Sequence, residues 1–236
     1  MDPKAYARLY EGDTVDAHYF NSRLRIVLDM IQGLNQGKVL DVGCGPGVMA
    51  RHLIDRKWKI VGLDLSPAMI RECVESIGLT AANFTCGSVE CIPFMDGTFD
   101  VVLAMGVLEY IKEVGGAVRE LARVSKKDGI VIMTMMNKIS PYRIWERTVL
   151  FRWAQFRSKR MQTTSWIYSE RAFRRVAEVS GLEVLDIVYY DFNLIIPPLD
   201  KKMPCKAAKI NTILEPFCRN HLKWLGSGFI VKTRKK

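Results

Sequence analysis

Short continuous apolar runs alternate along the chain with longer segments in which apolar residues recur every three or four positions. The short runs are typical of strands buried in a parallel sheet, and the longer segments are typical of amphipathic helices. Strands are predicted at 38–42, 59–63, 83–87, 99–105, 129–134, 183–190 and 228–232. Helices are predicted at 23–34, 47–57 and 114–125, and after Ser66 and Ser169, which stand at N-cap positions. The alternation predicts an α/β fold.

The loop after the first predicted strand carries three glycines at alternate positions, Gly43, Gly45 and Gly47. Glycine permits positive φ and lets a ligand approach the main chain, and the helix that follows offers free N–H groups. Asp41 lies inside the apolar strand, where a carboxylate is costly unless it has a partner. A nucleotide-like ligand across this junction explains both features, although a tight turn with a capping acid is the alternative.

A second acid, Asp64, ends the next apolar run, 17 positions after Gly47. An acid at this point of a βαβ unit can bind both hydroxyls of an adenosine ribose. The spacing G-x-G-x-G behind Asp41 differs from the G-x-G-x-x-G of dinucleotide dehydrogenases. It resembles the class I S-adenosylmethionine-dependent methyltransferases, in the branch that includes ubiquinone and menaquinone methyltransferases. Three further blocks carry the resemblance within residues 36–136: Asp64–Met69, Gly87–Phe94 and Phe99–Tyr110.

This resemblance implies a Rossmann-like sheet of seven strands, mostly parallel, with an antiparallel last strand beside strand five and helices on both faces. It implies S-adenosyl-L-methionine as the cofactor. Its cofactor-binding residues would be Tyr19, Arg23, Asp41, Gly43, Cys44, Gly45, Gly47, Asp64, Leu65, Met69, Ser88, Val89, Glu90 and Met105. Ser88 stands where the family commonly has Asp, so a hydroxyl would replace the usual carboxylate contact to adenine.

Two kinds of additional segment are expected around this domain. Residues 1–34 are aromatic and partly helical, and we expect them to form a lid over the cofactor; packing of their helix onto the sheet is the alternative. Residues 35–236 are expected to form the methyltransferase domain, with cap insertions at 138–167 and 192–226. Both insertions follow strands at the end of the sheet where ligands bind.

Positive charge is concentrated in the cap. The chain carries a net +10, of which residues 138–160 contribute +6 and residues 201–236 contribute +9. Trp145, Val149, Trp153 and Phe156 recur every three or four positions among arginines, a pattern typical of a membrane-interfacial helix. The alternative is a stripe that caps the core. The combination favours an amphiphilic or anionic acceptor and an anionic membrane surface as a partner.

Methyl transfer from a sulfonium needs alignment of the acceptor, and a base only where the acceptor is a phenol, a catechol or a carbon acid. The candidate bases near the expected mouth are His18, Glu109, Tyr110 and His221. No metal site is predicted, because the six cysteines form no C-x-x-C pair and no histidine stands at zinc-ligand spacing.

Two other functional classes stay open. A nicotinamide-dependent oxidoreductase would share the adenosine site, and a basic nucleic-acid-binding protein would explain the charge. Nucleic acid is the less favoured partner, because the aromatic residues lie within predicted helices and not on an exposed sheet. No apolar run approaches the roughly 18 residues of a membrane span, and the start of the chain lacks a secretion signal. We therefore expect a cytoplasmic protein, and a peripheral position at the inner membrane face stays open.

Overall fold

A central sheet forms the core of the computed structural model, which describes residues 2–12, 14–78, 82–150, 165–195 and 199–236. Within these residues the sheet has eight strands, in the order β3-β2-β1-β4-β5-β8-β7, with β6 paired to β5. Their bounds are β1 Lys38–Val42, β2 Lys59–Asp64, β3 Ala82–Cys86, β4 Phe99–Ala104, β5 Ser125–Asn137, β6 Ile167–Tyr168, β7 Leu182–Tyr190 and β8 Gly228–Lys235. Strand β8 runs antiparallel to both β5 and β7, and the other pairs are parallel.

The predicted seven-stranded sheet with an antiparallel last strand is confirmed, and two differences have local causes. Strand β5 starts earlier than predicted because exposed residues 126–128, which carry no apolar signal, continue the strand from Ser125. The two-residue strand β6 was not predicted, since only its pairing with Met136 and Asn137 makes it a strand.

Helices and single helical turns connect the strands. The α-helices are α1 Pro3–Ala7, α2 Val15–Ile31, α3 Val48–Ile54, α4 Pro67–Ile77, α5 Val114–Val124, α6 Pro141–Trp145, α7 Glu170–Val179, α8 Leu199–Lys202 and α9 Pro204–Leu214. Short 3-10 turns span Arg8–Tyr10, Leu108–Tyr110, Glu215–Phe217 and Lys223–Leu225, and a π-helical turn spans Glu146–Leu150. The predicted caps are confirmed: Ser66 accepts a hydrogen bond from Met69 N, and Ser169 accepts one from Ala172 N.

Apolar side chains cover both faces of the sheet, as the alternation along each strand requires. Leu40 and Val42 of β1 pack with α5 and α7 on one face, whereas Val39 packs with α2 and α3 on the other. The C-terminal half of α2 contributes Val27 and Ile31, both buried, to this second face. That half of the expected lid therefore packs on the sheet, and only the residues before it are placed to cover a ligand.

The strand order changes direction between β1 and β4, which places a crevice at the carboxyl ends of these two strands. The N-terminal half of α2 and the turn Arg8–Tyr10 lie above this crevice. None of the helices in the described part of the chain is long and apolar enough to cross a membrane.

Candidate active site

The loop between β1 and α3 adopts a backbone that only glycine accommodates well. Gly43, Gly45 and Gly47 have φ of 71°, 53° and 78°. A Cβ on Gly43 would lie 2.1 Å from Val107 Cγ2, and a Cβ on Gly47 would lie 2.5 Å from Ile77 Cδ1. The three glycines therefore hold a tightly packed loop whose backbone faces the crevice.

Asp64 ties the end of β2 to this loop. Its Oδ2 accepts a hydrogen bond from Gly45 N at 2.8 Å, and its Oδ1 accepts one from Ser66 N at 2.8 Å. Each carboxylate oxygen can accept a second hydrogen bond, so the group remains able to bind two donors. In this fixed orientation the Asp64 carboxylate can accept hydrogen bonds from two neighbouring hydroxyl groups of a ligand.

Asp41 is buried beneath the loop and lacks a partner for one oxygen. Its side chain is 2% exposed, and Oδ2 has no hydrogen-bond partner within the described residues. Burial raises the pKa of the Asp41 carboxyl to about 7, and the charge of Asp64 adds to the rise. A cationic hydrogen-bond donor at Oδ2 would supply the missing hydrogen bond and would offset the buried negative charge of Asp41.

Aromatic residues of the N-terminal segment cover this acid. Tyr6, Tyr10 and Phe20 pack on one another, with ring centroids between 4.9 and 6.4 Å apart. Arg23 is 4% exposed, and its guanidinium carbon lies 4.8 Å from the ring centroids of both Tyr19 and Phe20. The cavity that remains between these residues and the glycine loop is only about 30 Å³.

A larger cavity of about 330 Å³ adjoins the first and shares Tyr6, Phe20 and Arg23 with it. Its lining consists of Tyr6, Leu9, Asp16, Tyr19, Phe20, Arg23, Gly106, Glu109, Tyr110, Met136, Tyr142, Arg143, Glu146, Asp191 and Asn193. Glu109 is 4% exposed; burial raises its pKa, and the charge of Arg23 opposes part of the rise. A Cβ on Gly106 would lie 2.8 Å from Arg23 Nη1, so this glycine makes room for the guanidinium.

Four buried side-chain polar atoms have no hydrogen-bond partner among the described residues, and all four belong to residues that line these two cavities. They are Arg23 Nε, Asp41 Oδ2, Glu109 Oε2 and Asn193 Oδ1. Buried polar groups in folded proteins are nearly always paired. Their concentration here marks a binding site whose ligand supplies the missing partners.

The remaining residues that the resemblance implied for the cofactor lie in two groups. Cys44 and Met105 line the small cavity beside the glycine loop. The second group follows the ends of β2 and β3, where Leu65 is 75% exposed, Met69 and Val89 are buried, and Glu90 is exposed. Ser88 Oγ accepts a hydrogen bond from Glu90 N at 3.2 Å. An adenine ring could lie on the open surface beside Leu65.

The structure brings only two of the four candidate bases to the cavities. Glu109 and Tyr110 line the larger one. His18 Nε2 lies 3.5 Å from Glu215 Oε1 and lines a separate cavity, and His221 is exposed. The expectation that all four lie at one mouth is therefore wrong for the two histidines.

Arg143 and Asn193 are lining residues that sequence reasoning missed. Arg143 is one of the arginines that surround the predicted aromatic stripe; its side chain is only 11% exposed, and its Nη1 lies 2.7 Å from Glu146 Oε2. Asn193 carries no local signal, because it reaches the cavity only through the pairing of β7 with β8. Of the predicted aromatic stripe, Trp145 is half-buried, and Trp153 and Phe156 lie outside the described residues.

Comparison with known proteins agrees with this geometry. Residues 40–133 match a family model described as "Methyltransferase domain". The chain is 32% identical over 98 residues to malonyl-[acyl-carrier protein] O-methyltransferase of Pseudescherichia vulneris, covering 42% of this chain and 38% of that protein. It is 32% identical over 132 residues to ubiquinone biosynthesis O-methyltransferase of Sodalis glossinidius, covering 54% and 53%. The chain thus aligns with about half of the length of these relatives, or less.

A solved structure extends the likeness to nearly the whole fold. Magnesium protoporphyrin IX methyltransferase of Synechocystis PCC 6803, with bound SAH, superimposes with a TM-score of 0.67 at 14% identity, over 98% of this chain and 93% of that chain. The fold is therefore that of the class I methyltransferases. The resemblance to methyltransferases is confirmed by the family model over residues 40–133 and by this shared fold.

Proposed function

We propose that this chain is an S-adenosylmethionine-dependent methyltransferase that transfers a methyl group to an oxygen, nitrogen or carbon atom of a small acceptor. The observation that carries the proposal is the buried Asp41, whose Oδ2 has no partner among the described residues and which lines one cavity with a glycine loop bonded to Asp64. This arrangement pairs a site for a cationic donor with a carboxylate for two hydroxyls. A methionine amino group joined to an adenosine ribose provides both.

Each part of the cofactor then has a place on this chain. Asp64 binds the ribose hydroxyls, and Leu65, Ser88 and Val89 border the adenine. Asp41 accepts hydrogen bonds from the amino group of the methionine end, and Arg23 binds its carboxylate through the Nε that lacks a partner. When bound, the cofactor supplies a methyl group on a sulfonium sulfur, and this sulfur leaves readily as a neutral thioether.

The residues of this chain orient the acceptor, exclude water and accept a proton. Tyr6, Tyr10 and Phe20 form the part of the lid that closes the site, since they already cover Asp41. Glu109 is the base for an acceptor that must lose a proton, because its buried carboxyl lines the larger cavity and burial raises its pKa. Tyr110 lies beside it on the same cavity.

The acceptor is amphiphilic, and the protein meets it at an anionic membrane surface. Tyr110, which is 60% exposed, lines the larger cavity, and the two insertions carry further large apolar side chains that are at least 37% exposed: Ile139, Ile144, Trp166, Leu194, Leu199 and Trp224. Two contacts place some of them at the ends of β4 and β5, since Trp166 N bonds to Glu109 O and Asn137 Nδ2 bonds to Trp224 O. The basic residues of the same insertions would attract anionic lipid.

Labelled S-adenosylmethionine incubated with the protein and with lipid and aqueous extracts tests the activity. Label transferred to a lipid-soluble product is expected, and no transfer to any fraction would count against the proposal. Displacement of the bound cofactor by NAD would favour the oxidoreductase instead. Sedimentation with anionic and zwitterionic vesicles tests the surface: binding to anionic vesicles alone supports it, and no binding at low salt removes it.

A further inference from the structure

We infer that Asn193 binds the group to be methylated, and that this group is a hydrogen-bond donor, an amine or a hydroxyl, and not a carboxylate or a phosphate. The inference rests on the proposed function and narrows its acceptor. It also replaces the anionic acceptor that the basic cap suggested, because the cavity itself has the opposite charge.

Two residues of the larger cavity each carry an oxygen without a hydrogen-bond partner among the described residues. Asn193 is 3% exposed and Glu109 is 4% exposed, and the unpartnered atoms are Asn193 Oδ1 and Glu109 Oε2. Both atoms are hydrogen-bond acceptors when Glu109 is ionised. A ligand that completes the cavity must therefore bring hydrogen-bond donors to them.

The cofactor does not use these two atoms in the proposed arrangement. Its amino group satisfies Asp41 Oδ2, and its carboxylate satisfies Arg23 Nε, which are the other two unpartnered atoms. Asn193 does not line the small cavity that contains Asp41, whereas Arg23 lines both cavities. The two remaining acceptors are thus left to the second substrate.

The charge of the larger cavity gives an independent argument. Its lining contains four acids, Asp16, Glu109, Glu146 and Asp191, and two bases, Arg23 and Arg143. Arg143 is already paired with Glu146 at 2.7 Å. Among the described lining residues the net charge is therefore negative and no cation is uncommitted, which disfavours an acceptor carboxylate or phosphate. An amine or a hydroxyl carries no negative charge and meets no such repulsion. The five aromatic rings of the lining suit a cationic or neutral group.

The backbone before Asn193 is held rigidly enough to aim its side chain. Asp191 has a φ of 58°, and its Oδ1 accepts a hydrogen bond from Asn211 Nδ2 at 2.9 Å. Phe192 N donates to Asn211 Oδ1 at 2.6 Å, and Ser227 Oγ donates to Asp191 Oδ2. This buried network joins the end of β7 to α9 and β8, so Asn193 is preorganised.

The test uses the full chain saturated with S-adenosylhomocysteine and three matched compounds, benzylamine, phenol and benzoate, titrated by NMR. Asn193→Leu removes the acceptor atom at similar volume, and Asn193→Asp retains an oxygen there. Asn35→Leu is the control, because Asn35 is exposed at the opposite end of the sheet. Far-ultraviolet circular dichroism and S-adenosylhomocysteine affinity establish that each variant is folded.

We expect benzylamine or phenol to bind at least about tenfold more tightly than benzoate. Asn193→Leu should remove most of that preference, whereas Asn193→Asp and Asn35→Leu should retain it. Tighter binding of benzylamine than of phenol would identify an amine acceptor, and the reverse would identify a hydroxyl.

Tightest binding of benzoate, unchanged binding in Asn193→Leu, or no binding of any compound would overturn the inference. If the wild-type protein does not bind S-adenosylhomocysteine, the proposed function itself is contradicted, whatever the result for Asn193. Because that affinity is measured separately, the two failures are distinguishable.

Discussion

The substitution Asp41→Asn should make the free protein more stable and its cofactor binding weaker. Asp41 is buried, and its pKa rises from the ordinary 3.8 to about 7, so the folded protein binds more protons than the unfolded chain between these pH values. The stability of the wild-type protein therefore falls as pH rises through this range. Asparagine carries no charge, so the Asp41→Asn protein should not lose this stability as the pH rises.

The size of the effect follows from the pKa. A rise of about three pH units corresponds to about 4 kcal/mol, at about 1.4 kcal/mol for each unit. Well above pH 7, Asp41→Asn should raise the free energy of unfolding by up to about 4 kcal/mol, since the ionised carboxylate is lost. At pH 4.5 the same linkage gives only about 1 kcal/mol, because Asp41 is neutral in the folded state there.

Urea unfolding at pH 8.5 and pH 4.5 measures this difference, and isothermal titration measures the affinity for S-adenosylmethionine. The affinity should fall by about 10- to 100-fold, because a charge-assisted hydrogen bond to the amino group is lost. Asp55→Asn is the control, since Asp55 is exposed. Equal stability gains at both pH values would refute the account of the pKa, and unchanged affinity would refute the role of Asp41 in binding.

Three further predictions concern the loop, the lid and the base. Gly47→Ala should lower the free energy of unfolding by about 1–3 kcal/mol in a urea titration, because φ is 78° and a Cβ would lie 2.5 Å from Ile77 Cδ1. Deleting residues 2–12 should leave the circular dichroism of the sheet intact while lowering the rate of methyl transfer, since water reaches the site. Glu109→Gln should lower the rate of methyl transfer at every pH and abolish its decline towards acidic pH, because glutamine cannot accept the proton and does not titrate; a pH–rate profile measures both effects.

The local parts of the fold and site could be predicted from the sequence because their signals lie within a few residues. Asp41 and the glycines that follow belong to one strand and one loop, and Asp64 ends the next strand. The structure places the glycine loop and Asp64 in hydrogen-bond contact. A βαβ unit brings such neighbours together whatever the rest of the chain does.

The acceptor cavity could not be predicted in the same way. Asn193 and Glu109 are brought to one cavity only by the order of the strands in the sheet. The misplacement of His18 has a simpler cause in helix geometry. Tyr19 and Arg23 are four residues apart and face the crevice, whereas His18 and Ser22 form the neighbouring pair and face Glu215.

The most direct test of the central claim is isothermal titration of S-adenosylmethionine into the wild-type protein and Asp64→Ala, with Asp55→Ala as control. The wild-type protein should bind one equivalent, and Asp64→Ala should bind at least about tenfold more weakly, because the carboxylate that receives the ribose hydroxyls is lost. Asp55→Ala should bind as the wild type does. No binding to the wild-type protein, or equal affinity of a folded Asp64→Ala, would contradict the proposed cofactor site.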